Sequence, residues 1–470
     1  MRALCANAVD AAVVAGASYA DARGVFRRTQ SIATKNGNVE AVSDSETEGI
    51  GVRVLVGGAW GFAADRRLTE EGARDAALRA CAFALAAGGR AKELAPIEPQ
   101  RGSFKASVEI DPFSISLDEK VEFCLDAERA LAQPEVKVAE ASARALLEQK
   151  VFVSSDGSDV EQELVECGGG IDATAVANGS SQMRSYPSAH GGVSAQAGWE
   201  YVASLGLARE APRVAEQAAA LLTAPECPSG VMDVVIDAEQ MQLQVHESVG
   251  HPTELDRVLG FEAAYAGTSF LRPGDLGSLR YGSEHMNVTS DPTTPGGLGT
   301  FGFDDEGVPA RAEPIVREGV LVGWLGSREV GFPGSMRADG WSRMPLVRMT
   351  NLHLEPGEGK LEELLAGVDR GLYLETNRSW SIDDKRLNFQ FGTQIAWEIV
   401  GGKLGRMFRD ATYTGITPHF WGSLDAVAGR EEWRLHGLTN CGKGQPGQSA
   451  HVSHGASPAR FRGVQIGLRS

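Results

Sequence analysis

Cysteine is scarce and never paired along the chain: Cys5, Cys81, Cys124, Cys167, Cys227 and Cys441 stand singly, with no C-x-x-C among them. That pattern excludes a disulfide framework and a thiol-redox motif, and it fits a reducing compartment. Long hydrophobic runs are missing as well. No window approaches the roughly eighteen apolar residues of a membrane-spanning helix. The N-terminus offers only Arg2 ahead of a short Ala/Val stretch broken by Asp10, with no cleavage site. It reads as a first amphipathic helix, so the expected location is cytoplasmic, with no membrane association. Positive charge is short, with 45 basic against 62 acidic residues and a net charge of −17. No basic stripe is interleaved with aromatics, which argues against direct binding of nucleic acid. Gly168-Gly169-Gly170 lacks both the Lys-Ser/Thr of a phosphate loop and the G-x-G-x-x-G spacing, and reads as a strand bulge or turn.

Glycine, in contrast, is abundant, with 57 of 470 residues scattered through alternating apolar segments. This favours many strands with turns over a helical bundle. A chain this long exceeds one ordinary core. The expected fold class is α+β in two domains: an N-terminal α/β domain, residues 1–222, with an antiparallel sheet and helices, and a C-terminal β-rich domain, residues 231–470. The proline-containing stretch 223–230 separates them. Helices are expected over 2–17, 69–87, 117–133 and 211–222. Strand character is expected at 25–33, 39–43 and 49–55, with Lys35-Asn36-Gly37-Asn38 as a hairpin turn. Val231–Ile236 reads as a buried strand, and Asp237 can cap a helix running on through Val245.

That helix leads into His246-Glu247-Ser248-Val249-Gly250-His251. Two imidazoles bracketing a carboxylate are what a protein needs to hold a zinc ion and activate a water. In H-E-x-x-H zincins the histidines stand at i and i+4 on one helical face, with the glutamate as general base. Here the spacing is i, i+5, which sets the rings about 140° apart on an ideal helix. Gly250 tolerates non-helical torsions and Pro252 biases His251 away from the α region, so the helix is expected to end or unwind between the histidines. Zinc in a catalytic site usually has three protein ligands, so one is still to be supplied, and His436, His451, His454 and Cys441 are all candidates. Glu254 and Asp256, just past the motif, are candidates for orienting an imidazole. Asp304-Asp305-Glu306 reads as a solvated turn.

Taken in order, several segments resemble the TldD/PmbA family of metallopeptidases, in particular the TldD branch that carries H-E-x-x-x-H. They are Tyr19-Ala20-Asp21-Ala22-Arg23, Gly51-Val52-Arg53-Val54, Gly58-Ala59-Trp60-Gly61-Phe62, the 246–251 motif, Asp304-Asp305-Glu306-Gly307, Arg348-Met349-Thr350-Asn351 and Cys441-Gly442-Lys443. The resemblance implies a zinc-dependent metallopeptidase with His246, His251 and Cys441 as metal ligands and Glu247 as general base. It implies substrates that are unfolded or short peptides, bound as an added β-strand. It also implies a dimer, either with itself or with a motif-lacking PmbA-type paralogue. Lys443 is a candidate for favouring the Cys441 thiolate. Two departures from the family pattern bear on substrate range: the bulky Trp380 in Asn377-Arg378-Ser379-Trp380, and the two histidines in 449–454. The rival readings are a non-proteolytic partner subunit and a regulator that binds a protein target, as the family's association with DNA gyrase would suggest.

Overall fold

The computed structural model describes residues 1–90 and 92–467. It opens with helix α1 (Arg2–Val14), shorter than expected because Gly16 turns the chain out with φ +99°. Strands β1 (Tyr19–Lys35) and β2 (Asn38–Val56) follow as one long antiparallel hairpin. Its two-residue turn is Asn36-Gly37, both at positive φ (50° and 79°), as a hairpin turn matched to strand twist requires. The breaks expected within these strands do not occur. β1 is hydrogen-bonded on both sides, to β2 and to a later strand, so its pairing carries it through Gly24.

Strand β3 (Ala59–Asp65) leads into α2 (Glu70–Ala87), where Thr69 caps the helix by accepting the Gly72 N–H at 3.1 Å. The buried face of α2 is almost wholly alanine: Ala73, Ala76, Ala77, Ala80 and Ala84. Small side chains let helix and sheet approach so closely that a Cβ on Gly61 would lie 2.0 Å from the Ala80 carbonyl. α1 and α2 cover Ile50, Val52 and Val54 of the sheet. Each such side chain, fully buried, contributes about 1.5–3 kcal/mol. Strand β4 (Arg101–Lys105), helix α3 (Leu117–Arg129), strands β5 (Val136–Ser154), β6 (Asp159–Ala177), β7 (Ser180–Tyr186) and β8 (Val193–Ala195), and helices α4 (Trp199–Ser204) and α5 (Leu207–Leu221) complete this part.

The first sheet has ten strands, and two come from the far end of the chain. Its order is Gln448–Ala456, Arg434–Lys443, β8, β6, β5, β1, β2, β3, with β4 and β7 also paired to β6. Gly168-Gly169-Gly170 is neither bulge nor turn. It lies inside β6, in register with β5, and is glycine because β8 and the loop before it press against it: a Cβ on Gly168 would meet Ser194 Oγ at 2.0 Å.

The second sheet has seven strands: β9 (Gly230–Ile236), Arg370–Ile382, Asn388–Val400, Lys403–Phe408, Thr412–Ile416, Leu424–Val427 and Ala459–Ile466. β9 runs parallel to Arg370–Ile382 and antiparallel to Ala459–Ile466, which places it inside the sheet. Helix α6 (Ala238–Val245) leaves its C-terminal end, and Asp237 caps it through the Gln240 N–H at 2.8 Å. The α+β class expected from the sequence is the one observed.

Asp304-Asp305-Glu306 is not a solvated turn. The three residues are 2%, 2% and 1% exposed. Three acids tolerate burial here because each is paired. Arg53 reaches Glu306 at 3.1 Å, Lys150 reaches Asp305 at 2.8 Å, and Asp304 accepts the backbone N–H groups of Glu306, Val308 and Met336. The ion pairs tie this loop to β2 and β5. Among the described residues no helix is long and apolar enough to cross a membrane.

Burial also governs two histidines away from the motif, pushing His353 and His436 down from an ordinary 6.5 to about 4. His353 Nδ1 accepts the Gly455 N–H at 2.8 Å, a bond that protonation would break. Because the folded values lie below the unfolded ones, the stability is full above about pH 6.5 and is lost as pH falls towards 4. Thermal melting should therefore drop steeply across that window. His436→Asn should flatten part of the drop, as a melting series from pH 7 to 4 would reveal.

Candidate metal centre

α6 runs without a break into the His246–His251 segment, and the backbone stays helical at both ends, with φ/ψ of −55°/−56° at His246 and −59°/−41° at His251. The helix does not end between the histidines and His251 keeps α torsions despite Pro252; the expected unwinding goes no further than one wider turn. Residues 246–250 form one π-helical turn, closed by a hydrogen bond from the His251 N–H to the His246 carbonyl. An i+5 to i bond sets His251 over His246, as an i+4 residue sits in an α-helix, so the five-residue spacing becomes same-face. The ring centroids are 4.8 Å apart. π turns of this kind are rare and concentrate at functional sites. Gly250 is required for space rather than for its torsions: a Cβ there would lie 2.0 Å from Met349 Sδ.

Cys441 arrives from the other sheet. Its strand, Arg434–Lys443, pairs with Gln448–Ala456, but the register slips between Leu438 and Cys441, leaving Thr439 and Asn440 out of the ladder. One donor atom from each of His246, His251 and Cys441 lies within 4.8 Å of the others, and all three residues are buried. Cys441 Sγ is 3.9 Å from His251 Nε2.

Hydrogen bonds fix which nitrogens are free. His454 Nδ1 lies 3.0 Å from the Leu352 carbonyl, which can only accept, so the proton is on Nδ1 and Nε2 carries a lone pair. That lone pair faces His246 Nδ1 at 2.7 Å. His246 must therefore be protonated at Nδ1 and free at Nε2. His251 Nδ1 donates to the Glu254 carboxylate at 3.0 Å, leaving its Nε2 free as well. Burial lowers both imidazole pKa values, keeping them neutral. Burial alone would raise the Cys441 thiol, but Arg348 and His251 bring it below its ordinary value. Two neutral nitrogens and an easily ionised sulfur are the donor chemistry that a zinc-type ion takes.

Around the cluster, roles divide differently from the sequence expectation. Glu254 does orient His251. Asp256 does not orient a ring; it binds Lys443 at 2.9 Å. Lys443 is committed to Asp256, Glu254 and Glu262, so it is not the cation beside the thiol; that is Arg348, which donates to the Cys441 carbonyl. Burial raises the Glu254 carboxyl, yet Lys443, His251 and Arg257 outweigh it and hold it well below the usual range. Of the rival histidines, His451 binds Glu166, and His436 is half-buried outside the donor cluster, its buried Nδ1 unpartnered among the described residues.

Glu247 follows His246 on the π turn and is 6% exposed. Its Oε2 is ion-paired with Arg386, on the turn between the strands Arg370–Ile382 and Asn388–Val400. A cavity of about 400 Å³ opens onto the cluster, lined by His246, Glu247, His251, Cys441, Arg386 and Trp380 among others. Trp380 stands edge-on to His190 with centroids 5.2 Å apart, forming a wall rather than a plug. Sequence reasoning missed the partnership of His454 with His246 and the whole role of Arg386. His454 was visible only as a rival ligand, and Arg386 carried no linear signal.

By donor chemistry, burial and the adjoining carboxylate, this is the arrangement of a metal-dependent hydrolase. The chain belongs to the PmbA/TldA metallopeptidase family: the C-terminal domain model of that family matches residues 229–467, domain 1 matches 20–84 and the central domain matches 110–222. A metalloprotease of Methanocaldococcus jannaschii is 30% identical over 94% of this chain and 95% of its own length. A zinc metalloprotease TldD homolog of Saccharolobus solfataricus is 24% identical over 51% of this chain and 52% of that one. The solved structure of TldE from Thermococcus kodakarensis, 15% identical, shares the fold with a TM-score of 0.75 over 99% of this chain and 100% of that one.

Two substitutions probe the geometry. Gly250→Ala should force Met349 or the π turn to move, at a cost of about 1–3 kcal/mol, with bound metal lost before the fold is. His454→Phe should leave the three donors in place yet weaken metal affinity roughly 10- to 100-fold. Competition with a chelator, set beside thermal melts of both variants, measures the two effects separately.

Proposed function

We propose that this chain is a zinc-dependent metallopeptidase that hydrolyses peptide bonds in unfolded or short peptides, with His246, His251 and Cys441 holding the ion and Glu247 as general base. The observation that carries the reading is the convergence of three donors from distant positions, all within 4.8 Å, on one wall of a cavity beside a carboxylate. A bound zinc supplies Lewis acidity to a peptide carbonyl and to the attacking water.

The chain's own groups do the rest. Arg386 occupies Glu247 Oε2, so Oε1 is the oxygen free to take the proton of the attacking water and to return it to the leaving amine. His454 and Glu254 hold the two imidazoles with Nε2 presented. The strand Arg434–Lys443 pairs with β8 only at Gly437, so among the described residues the edge facing the cavity beyond that point has no strand partner. An extended peptide can add there through main-chain hydrogen bonds, a mode with little dependence on side chains.

Cytoplasmic action and a dimer, with itself or with a motif-lacking PmbA-type paralogue, belong to the same reading. Residues 1–222 and 231–470 are taken as its two domains, the second lending the strands of 434–456 to the first.

Elemental analysis of the purified wild type should find about one zinc per chain, with unfolded-peptide hydrolysis in the same sample. Cys441→Ala should lose both. Glu247→Gln should keep the zinc and lose roughly 100-fold or more of the rate. Protein without zinc and without metal-restorable cleavage would sink the reading in favour of a non-proteolytic partner subunit.

A further inference from the structure

One cation in the cavity has no counter-ion. Arg144 projects from β5 into the cavity that holds the metal cluster. Its Nη1 donates to Thr439 Oγ1 at 3.1 Å and its Nη2 to the Gly191 carbonyl, both neutral acceptors. Among the described residues no carboxylate lies within ion-pair distance of it. The acidic side chains that line the same cavity are already committed. Glu247 is paired with Arg386, and Glu239 accepts the Ser188 hydroxyl and the Asn377 N–H. The acid whose field reaches Arg144 most strongly, Glu166, is bonded to His451.

The loop that fixes Arg144 is built at some cost. His190, Gly191 and Gly192 take φ of 59°, 86° and 84° in succession, a left-handed run that aims the Gly191 carbonyl at the guanidinium. A Cβ at Gly191 would meet Arg144 Nη2 at 3.4 Å. Thr439, the other anchor, is two residues before Cys441 on the strand whose free edge lines the cavity. The cation is thus rigidly aimed, close along the strand to the metal donors, and left unneutralised by the protein.

We propose that Arg144 binds a carboxylate of the peptide substrate, making this site selective for peptides that place a negative charge a residue or two from the bond to be cut. The inference rests on the peptidase reading of the cavity. A guanidinium held by two hydrogen bonds still presents N–H groups for a charge-assisted contact, and it needs no rearrangement to make one. The anion comes either from the free C-terminus or from an Asp or Glu side chain.

Binding to the Glu247→Gln protein, with metal content verified, separates these sources without requiring turnover. The probes are tetra-alanine bearing an uncharged N-terminal dansyl label, as free acid and as C-terminal amide, and dansylated, amidated tetrapeptides carrying one Asp or one Asn at each position. A C-terminal anchor predicts that the free acid binds at least about ten-fold tighter than the amide. A side-chain anchor predicts the same preference for Asp over Asn at one position. In either case Arg144→Gln, added to Glu247→Gln, should erase the preference while the neutral peptides bind as before, and Arg144→Lys should retain part of it. Equal binding of every acid and its neutral partner overturns the proposal and leaves the peptidase reading standing, as does a preference that survives Arg144→Gln. Failure of every peptide to bind overturns both.

Discussion

The hydrogen bond from the His251 amide to the His246 carbonyl is the constraint on which the candidate site depends. Without it, two histidines five residues apart would face different sides of their helix, and no donor set would form. With it, both rings lie on one face and Glu247 comes next to them. That turn is not self-sufficient. Residues 246–251 are buried throughout, Gly250 fits against Met349 with no room for a methyl group, and the Ser248 carbonyl accepts the Tyr281 hydroxyl. The π turn is therefore a product of tertiary packing, and the functional geometry is paid for by the core around it.

The second dependence is between the two halves of the chain. The histidines ride on a helix that leaves the seven-stranded sheet, whereas Cys441 sits on a strand that completes the ten-stranded one. Cys441, Ala450 and Val452 pack in the same hydrophobic cluster as Val245 and Val249, so the two sheets meet at the cluster itself. The donors come together only when both sheets are assembled. The buried pairs of Arg53 with Glu306 and of Lys150 with Asp305 tie a loop of the C-terminal part to β2 and β5 of the ten-stranded sheet. Removing Arg53 would leave both Asp21 and Glu306 buried without their cation, at about 3–5 kcal/mol.

Much of this was legible in the sequence, and the remainder was hidden for identifiable reasons. The Asn36-Gly37 hairpin, the Asp237-capped helix and the strand ending at Ile236 were visible because turn chemistry, capping and short apolar runs are local signals. The motif named its residues but not its geometry: a helical wheel cannot foresee an i+5 bond, nor that Gly250 is there to make room for Met349 from another segment. Asp304-Asp305-Glu306 read as solvated because three adjacent acids usually are, and the cations that make burial tolerable stand on β2 and β5. Cys441 was reachable only through family resemblance, since nothing local distinguishes it from the five other thiols. The tautomer chain from Leu352 through His454 to His246 is a property of strand register and leaves no linear trace.

X-ray absorption at the zinc edge tests the central claim most directly, because it reads the donor atoms themselves. The account predicts a first shell of one sulfur near about 2.3 Å and two imidazole nitrogens near about 2.0–2.1 Å, completed by lighter scatterers. The sulfur should vanish in Cys441→Ala. A wild-type shell of nitrogen and oxygen alone, with metal still bound at about one per chain, would contradict it: the π turn would then be packing, not the means by which these three residues meet.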